Sequence, residues 1–148
     1  MELSEGVETV SLDGERHGRP FLPGCREEDQ RRVFDFLVWP NLLLSLQPDY
    51  LLVYQLYPFG PRATRVTASI HFAPEAFPGE ACHAPDVFRF WDLTNLQDRR
   101  ICERQQLGVE SRGFRRGRYA LVEDGAHLFD GFVVRAYGLG PAMVFGAS

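Results

Sequence analysis

One acid in this sequence asks for an explanation. In "FWDLTNLQDRRICERQQLGVESRGFRRGRY", residues 90–119, an aromatic-rich helical pattern carries Asp98 and then breaks into a run of Gly, Arg and Ser. At helical spacing Asn95, Ile101, Cys102 and Gln105 share its face, because residues three and four apart are neighbours on a helix surface. A carboxylate turned inward there needs a hydrogen-bond partner, a cation or a metal. One turned outward needs nothing, and on the pattern alone an exposed or capped Asp is the plainer reading.

The other reactive side chains give weaker signals. His71 falls in a strand pattern beside Phe72, His127 follows Glu123 by four residues, and His17 and His83 fall in loops. Iron and zinc sites want converging His and carboxylate ligands, often with a short-spaced His pair. No H-x-H, H-x-x-x-H or H-x-x-x-x-H pair occurs, so a metal centre built wholly within this chain is not expected. Glu123 and His127 are spaced to meet across one helical turn, as a surface pair or a cap. Cys25, Cys82 and Cys102 are odd in number and far apart; they form neither a CxxC nor a disulfide framework, and a reducing, cytoplasmic setting fits them. Ser111 lacks a nucleophile elbow. "GFRRGR" is followed by no GK[ST] and is not a phosphate loop, and there is no dinucleotide fingerprint.

What must position these groups is a chain of 148 residues, enough for one domain with a real core. Its 45% hydrophobic content, twelve Phe and two Trp imply a core rich in rings or a cavity lined by them. The net charge of −4 gives no general reason to expect nucleic acid, and Arg112, Arg115, Arg116 and Arg118 read as a local patch on a solvated turn. Arginine supplies all 16 basic residues and Lys is absent, which reads as high-GC bacterial coding bias. "FLVWPNLLLSL" is too short to span a membrane and is broken by Pro40 and Asn41; "MELSEGVETV" has no secretory pattern.

Alternation predicts strands over 7–12, 33–38, 42–46, 49–61 and 64–74, the last two as an antiparallel hairpin. Over 49–61, Leu52, Tyr54 and Leu56 face one way and Leu51, Val53, Gln55 and Tyr57 the other. Pro40 marks a bend or an edge, because proline donates no ladder hydrogen bond. Residues 13–24 read as a loop, 26–32 as a helical turn and 74–85 as an irregular connection. A helix is predicted from near Asp86 through Cys102 or beyond, with Phe88, Trp91, Asn95, Asp98, Cys102 and Gln105 near one line. A second, from about Val122 to Tyr137, carries an apolar stripe, and the tail after Gly138 is short and loose. Strands first and helices last give an α+β fold, an antiparallel sheet with helices packed on one face. The first strand has no obvious partner before it, so the sheet looks incomplete on its N-terminal side.

Laid side by side, Trp91, Asn95, Asp98, Ile101, Glu103, Gln106, Gly108, Ser111, Gly117, Arg118, Glu123 and Phe129 fill a pattern of the type W…N-x-x-D-x-x-[I/V]-x-E-x-x-Q-x-G, then S, G-R, E and F. On these residues the chain resembles the C-terminal part of the catalytic domain of Rieske-type ring-hydroxylating oxygenase alpha subunits. The choline and carnitine monooxygenase-like branch is nearest. "WPNLLLSLQPDYLLVYQLYPFGPRATRV" is similar to the family's upstream strands, and the resemblance covers about residues 5–137.

The resemblance implies a helix-grip (START-like) fold and a mononuclear Fe(II) held by two His and one carboxylate, the latter at the position of Asp98. Such a set leaves open sites for O₂ and substrate, and a rigid helix fixes the anion. It further implies hydroxylation of an organic substrate, electrons from a reductase or ferredoxin, and a homo-oligomeric full-length form. Asn95 and Gln105 would be supporting or lining groups; Phe72, Phe88, Trp91 and Cys102 would line the pocket, though each also fits plain packing. The C-x-H and C-x-x-H motifs of a [2Fe–2S] domain and the H-x-x-x-x-H pair of the mononuclear iron do not occur here. The chain therefore reads as a single domain, 1–148, the last third of an alpha subunit without its Rieske domain. Two alternatives stay open: an iron-free START-like module for a hydrophobic ligand, and an inactive truncated remnant.

Overall fold

The computed structural model describes residues 1–78, 82–115 and 117–138. Four strands cross one antiparallel sheet in chain order: β1 (Phe34–Val38), β2 (Leu42–Leu46), β3 (Tyr50–Pro58) and β4 (Thr64–Phe72). Each connection is short and built from turn formers, so successive strands can only return beside one another. Pro40 lies in the β1–β2 turn behind a cis Trp39–Pro40 bond. Asn41 then extends the ladder: its carbonyl accepts from Leu56 N at 3.0 Å, and its Nδ2 donates to Leu56 O at 2.9 Å. The hairpin of β3 and β4 pairs Leu52 with Ile70 and Tyr54 with Ala68.

After a 3₁₀ turn at Pro74–Ala76 comes α1 (Pro85–Val109). Proline suits the first helical position, where its missing N–H would have had no partner, and Asp86 places a negative charge at the positive end of the helix. The core lies between the first turns of α1 and one face of β3. Tyr50, Leu52, Ala84 and Val87 are buried there, with Tyr54, Ile70, Phe72, Phe77 and Trp91 packed around them. Period-two alternation puts Tyr50, Leu52 and Tyr54 on this face, as the sequence predicts. Burying a side chain such as Leu52 stabilises by roughly 1.5–3 kcal/mol.

The sheet does end openly on its N-terminal side. β1 is an edge strand, and Phe36, Leu37 and Val38 remain 51%, 42% and 45% exposed. The strand predicted over 7–12 does not form. Instead the carbonyl of Gly14, at φ +81°, accepts from both Glu8 N and Thr9 N, which curls the segment back on itself. Thr9 and Ser11 are buried with hydrogen bonds to side chain and backbone: Thr9 to Asp49, Ser11 to Asp13 and to the Glu15 carbonyl. A 3₁₀ turn at Glu27–Asp29 occupies the predicted helical turn.

Two compact units are distinguished, Met1–Leu107 and a second beginning at Gly108. The second contains α2 (Asp124–Ala136). Gly138, at φ +65°, closes that helix in the left-handed conformation glycine adopts freely. Along the predicted stripe Phe129 and Val133 are half-buried, while Val122 and Tyr137 are exposed. The Glu123 carboxylate accepts from Ala120 N, and the His127 ring stacks beside Tyr119 at 5.0 Å. Arg112, Arg115 and Arg118 are exposed, as a solvated patch requires. Arg116, residues 79–81 of the irregular connection and the tail from 139 lie outside the described residues. Among the described residues no helix is long and apolar enough to cross a membrane.

Candidate functional site

Phe88, Trp91 and Asn95 lie along the side of α1 that meets the sheet, and two tyrosines of β3 engage Trp91 and Asn95. Trp91 Nε1–H donates to Tyr50 Oη at 2.8 Å, and Tyr50 O–H donates in turn to the Val10 carbonyl at 2.5 Å. One pleat further along β3, Tyr54 O–H donates to Asn95 Oδ1 at 2.7 Å. The Tyr54 and Trp91 rings meet edge to face, centroids 6.5 Å apart. Burial pushes both phenols up from their ordinary range, against the hydrogen bonds to Trp91 and Asn95, which pull the other way.

Beyond Asn95 and Leu96 the helix is almost uncovered. Asp98, Cys102 and Gln105 are exposed, because the sheet reaches only the first turns of α1. Phe72 and Phe88 lie at the other end of the line. Phe72 packs between Tyr50, at 5.6 Å, and Phe77, at 5.3 Å, with Phe88 edge-on at 6.5 Å. The structure thus gathers Trp91 and Asn95 with Tyr54, puts Phe72 into the core, and leaves Asp98, Cys102 and Gln105 facing solvent. Tyr50 and Tyr54 were missed by sequence reasoning. Their alternation was visible; the helix residues they bond to were not.

The histidines of this unit lie elsewhere. His71 is on the sheet face opposite Leu52, bonded to Ser69 at 2.9 Å, and lines a cleft of about 440 Å³ with Phe34, Leu46 and Leu51. His17 and His83 line a second cleft, of about 510 Å³, at the N-terminal end of α1. Among the described residues one group of three potential metal ligands forms, Asp13, His17 and Asp86, with ligand atoms within 4.8 Å of one another. Asp86 is roughly 18 Å from Asp98 at 1.5 Å per helical residue.

That group already holds its own cations. Arg19, 5% exposed, gives both terminal nitrogens to Asp86, at 2.8 and 3.2 Å, and Nε to the wholly buried Asp49 at 2.8 Å. Burial opposes the guanidinium's charge, but the hydrogen bonds to Asp86 and Asp49 outweigh it and the net shift is up. Asp13 faces His17 Nε2 at 2.8 Å and also accepts from Glu15 N and Ser11 Oγ. Its carboxyl is held down at about 2, first by the Glu15 N–H and then by His17, whose ring is correspondingly raised. The Arg19 contacts tie the N-terminal loop to the start of α1. Burial also raises the Cys25 thiol, which lowers its thiolate content.

The comparisons turn on the same helix and sheet. A family model described as the ring hydroxylating alpha subunit (catalytic domain) matches residues 1–139. The chain belongs to this family. Among its relatives, the glycine betaine monooxygenase oxygenase subunit of Pseudomonas aeruginosa (strain PAO1) is 26% identical over 120 residues, covering 81% of this chain and 28% of the relative. The corresponding subunit of Chromohalobacter salexigens is 28% identical over 118 residues, 80% of this chain and 26% of the relative. The chloroplastic choline monooxygenase of Arabidopsis thaliana is 30% identical over 92 residues, 62% of this chain and 22% of the relative. The chain therefore spans about a quarter of the length of the curated relatives it matches. The α+β architecture, an open four-stranded antiparallel sheet followed by helices, agrees with a helix-grip catalytic domain of this ring-hydroxylating family.

Proposed function

We propose that these residues form part of an alpha-subunit catalytic domain that hydroxylates a small organic substrate with O₂ at a mononuclear Fe(II). Asp98 would supply the carboxylate ligand. The family match over residues 1–139 carries the reading, and the seat of Asp98 supports it. The carboxylate stands exposed on α1, one helical turn beyond Asn95, whose Oδ1 accepts from Tyr54. These surroundings fit one arm of a facial two-histidine, one-carboxylate set. Among the described residues no group of three ligating side chains includes Asp98, so the two imidazoles would come from outside this sequence.

When bound, the iron would supply O₂ activation. This chain's own part is to hold the carboxylate and to wall its approach with the Tyr54 and Trp91 rings. Relatives are named for choline and glycine betaine, both quaternary ammonium compounds. A cationic substrate of that kind suits aromatic faces, which attract cations through the ring quadrupole. Electrons would arrive from a reductase or ferredoxin through a [2Fe–2S] domain not included in these residues, in a homo-oligomeric cytoplasmic enzyme. The apolar edge at Phe36, Leu37 and Val38 supports the view that this sheet works within a larger catalytic domain.

In the oxygenase chain that carries this sequence, Asp98→Ala is expected to remove the mononuclear iron and hydroxylation while sparing the [2Fe–2S] spectrum. Iron and turnover retained in the variant would overturn the assignment. A second reading, an iron-free ligand-binding module, draws on the missing imidazoles; stoichiometric iron in the purified 148-residue chain would sink it.

A further inference from the structure

One row of residues crosses all four strands: Phe34 stands opposite Leu46, Leu46 opposite Leu51, and Leu51 opposite His71. Residues directly opposite share a face, so the row lies on the side of the sheet away from Leu52 and α1. All four line the cleft of about 440 Å³, and the loop 22–25 stands beside them. Leu22 N–H donates to the Pro48 carbonyl at 2.8 Å and ties that loop to the β2–β3 turn. Small-molecule sites span about 300–1,000 Å³, so the cleft is of the right size for one. Gln47 lines it too and is 2% exposed. Its Nε2 donates to Ser45 Oγ at 2.9 Å, and Ser45 donates its own O–H to Asp35 at 2.6 Å, which fixes the orientation of the amide. The other end, Oε1, is buried with no hydrogen-bond partner among the described residues. Burying an acceptor in this way is unfavourable until a donor reaches it. The walls supply none: Pro23, Pro48 and Pro74 have no N–H, and the neighbouring polar side chains are engaged. His71 is bonded to Ser69, Asp29 is paired with Arg26 and Arg32, and Cys25 Sγ rests on the Arg26 carbonyl.

We propose that this cleft binds a small uncharged molecule with an apolar ring and a single O–H or N–H donor, of which a phenol is the simplest. The ring lies against Phe34, Leu46 and Leu51, and the donor satisfies Gln47 Oε1. The terminal torsion of a glutamine is soft, so a small rotation turns Oε1 toward a donor seated in the cleft. The ligand needs no charge, because the Asp29 carboxylate is already offset by Arg26 and Arg32. The site is on the opposite face of the sheet from Tyr54 and Trp91 and does not rest on the oxygenase reading.

Titration of the full 148-residue chain with p-cresol and with toluene, followed by the assigned backbone amides, tests this. The two probes differ only in the hydroxyl. In the wild type p-cresol is expected to shift the amides of Leu46, Leu51 and His71, and toluene to reach the same shifts at a midpoint about tenfold higher, the worth of one hydrogen bond to a group otherwise unsatisfied. Gln47→Met keeps the length of the side chain and removes the acceptor. In that variant the p-cresol midpoint should rise to that of toluene, while the toluene midpoint stays where it was. The amide shifts of Leu52 and Val87 report that the fold is intact. Should Gln47→Met fold poorly, Leu51→Trp fills the cleft from the outer face and should abolish the shifts from both probes. Shifts from p-cresol that are absent from the row, or centred on Tyr54 and Trp91, overturn the site. Equal midpoints for the two probes in the wild type, or a tenfold gap that survives in Gln47→Met, overturn the role of Gln47 and the ligand class with it. Binding that persists unchanged in Leu51→Trp overturns the placement in this cleft.

Discussion

Arg19 and Asp86 are joined by two parallel hydrogen bonds, 2.8 and 3.2 Å, across 67 positions of sequence. This fork fixes the N-terminal loop to the first turn of α1, and the remaining nitrogen of the guanidinium reaches Asp49 at the start of β3. Loop, sheet and helix therefore share one cation. Three measurable consequences follow from it and from the tyrosine contacts beside it.

Replacing Arg19 by Met keeps the stem and removes the charge. Asp49, with 0% exposure, then retains only the Thr9 hydroxyl, and its carboxylate is buried without a counter-ion. Breaking one partner of a buried pair is strongly destabilising, on the order of 3–5 kcal/mol. Urea unfolding of Arg19→Met should show a loss of that size. A change of about 1 kcal/mol or less would mean that Asp49 finds water or another donor.

The Asp13–His17 pair sets a pH window. Asp13 is lowered from 3.8 to about 2, so its contribution is complete above about pH 4 and is lost as pH falls toward 2. His17 is raised above 6.5, so its contribution is complete below 6.5 and is lost as pH rises through the folded value. Both contributions are present together between those limits. In His17→Ala the Asp13 carboxyl should stay below its ordinary value, because the Glu15 N–H is the larger cause. Carbon-detected NMR titration of Asp13 checks this, and a return to 3.8 in the variant would contradict it.

Tyr50 is both donor and acceptor. Tyr50→Phe leaves the Trp91 indole N–H without its acceptor and the Val10 carbonyl without its donor. Each partly buried group left unsatisfied costs about 1–3 kcal/mol. Trp91→Phe removes only the first bond, so it should cost less than Tyr50→Phe. Thermal unfolding of the two variants gives the order, and a larger loss in Trp91→Phe would show that indole packing outweighs the hydrogen bonds.

Much of this architecture was legible in the residues. β2 formed at its predicted bounds, β1, β3 and β4 within a few residues of theirs, and α1 began at Pro85, one residue before the start predicted near Asp86. Alternation told which residues of β3 share a face, because the pleat has no choice about it, but not which face would be buried. It failed over 7–12, where Thr9 and Ser11 are buried by hydrogen bonds rather than by apolar surface, a signal that periodicity does not carry.

Asp98 shows the same division. The sequence by itself set its helix, its neighbours Trp91 and Asn95 on the same line, and the family pattern that singles it out. Only the tertiary structure decided that β3 presents Tyr54 to Asn95, that His71 faces the other way, and that Asp86 is tied to Arg19 and Asp13 to His17 far from this site. The reason is physical. Local sequence fixes dihedral angles and the faces of an element, while a hydrogen bond between residues 41 apart exists only once packing has chosen which faces meet.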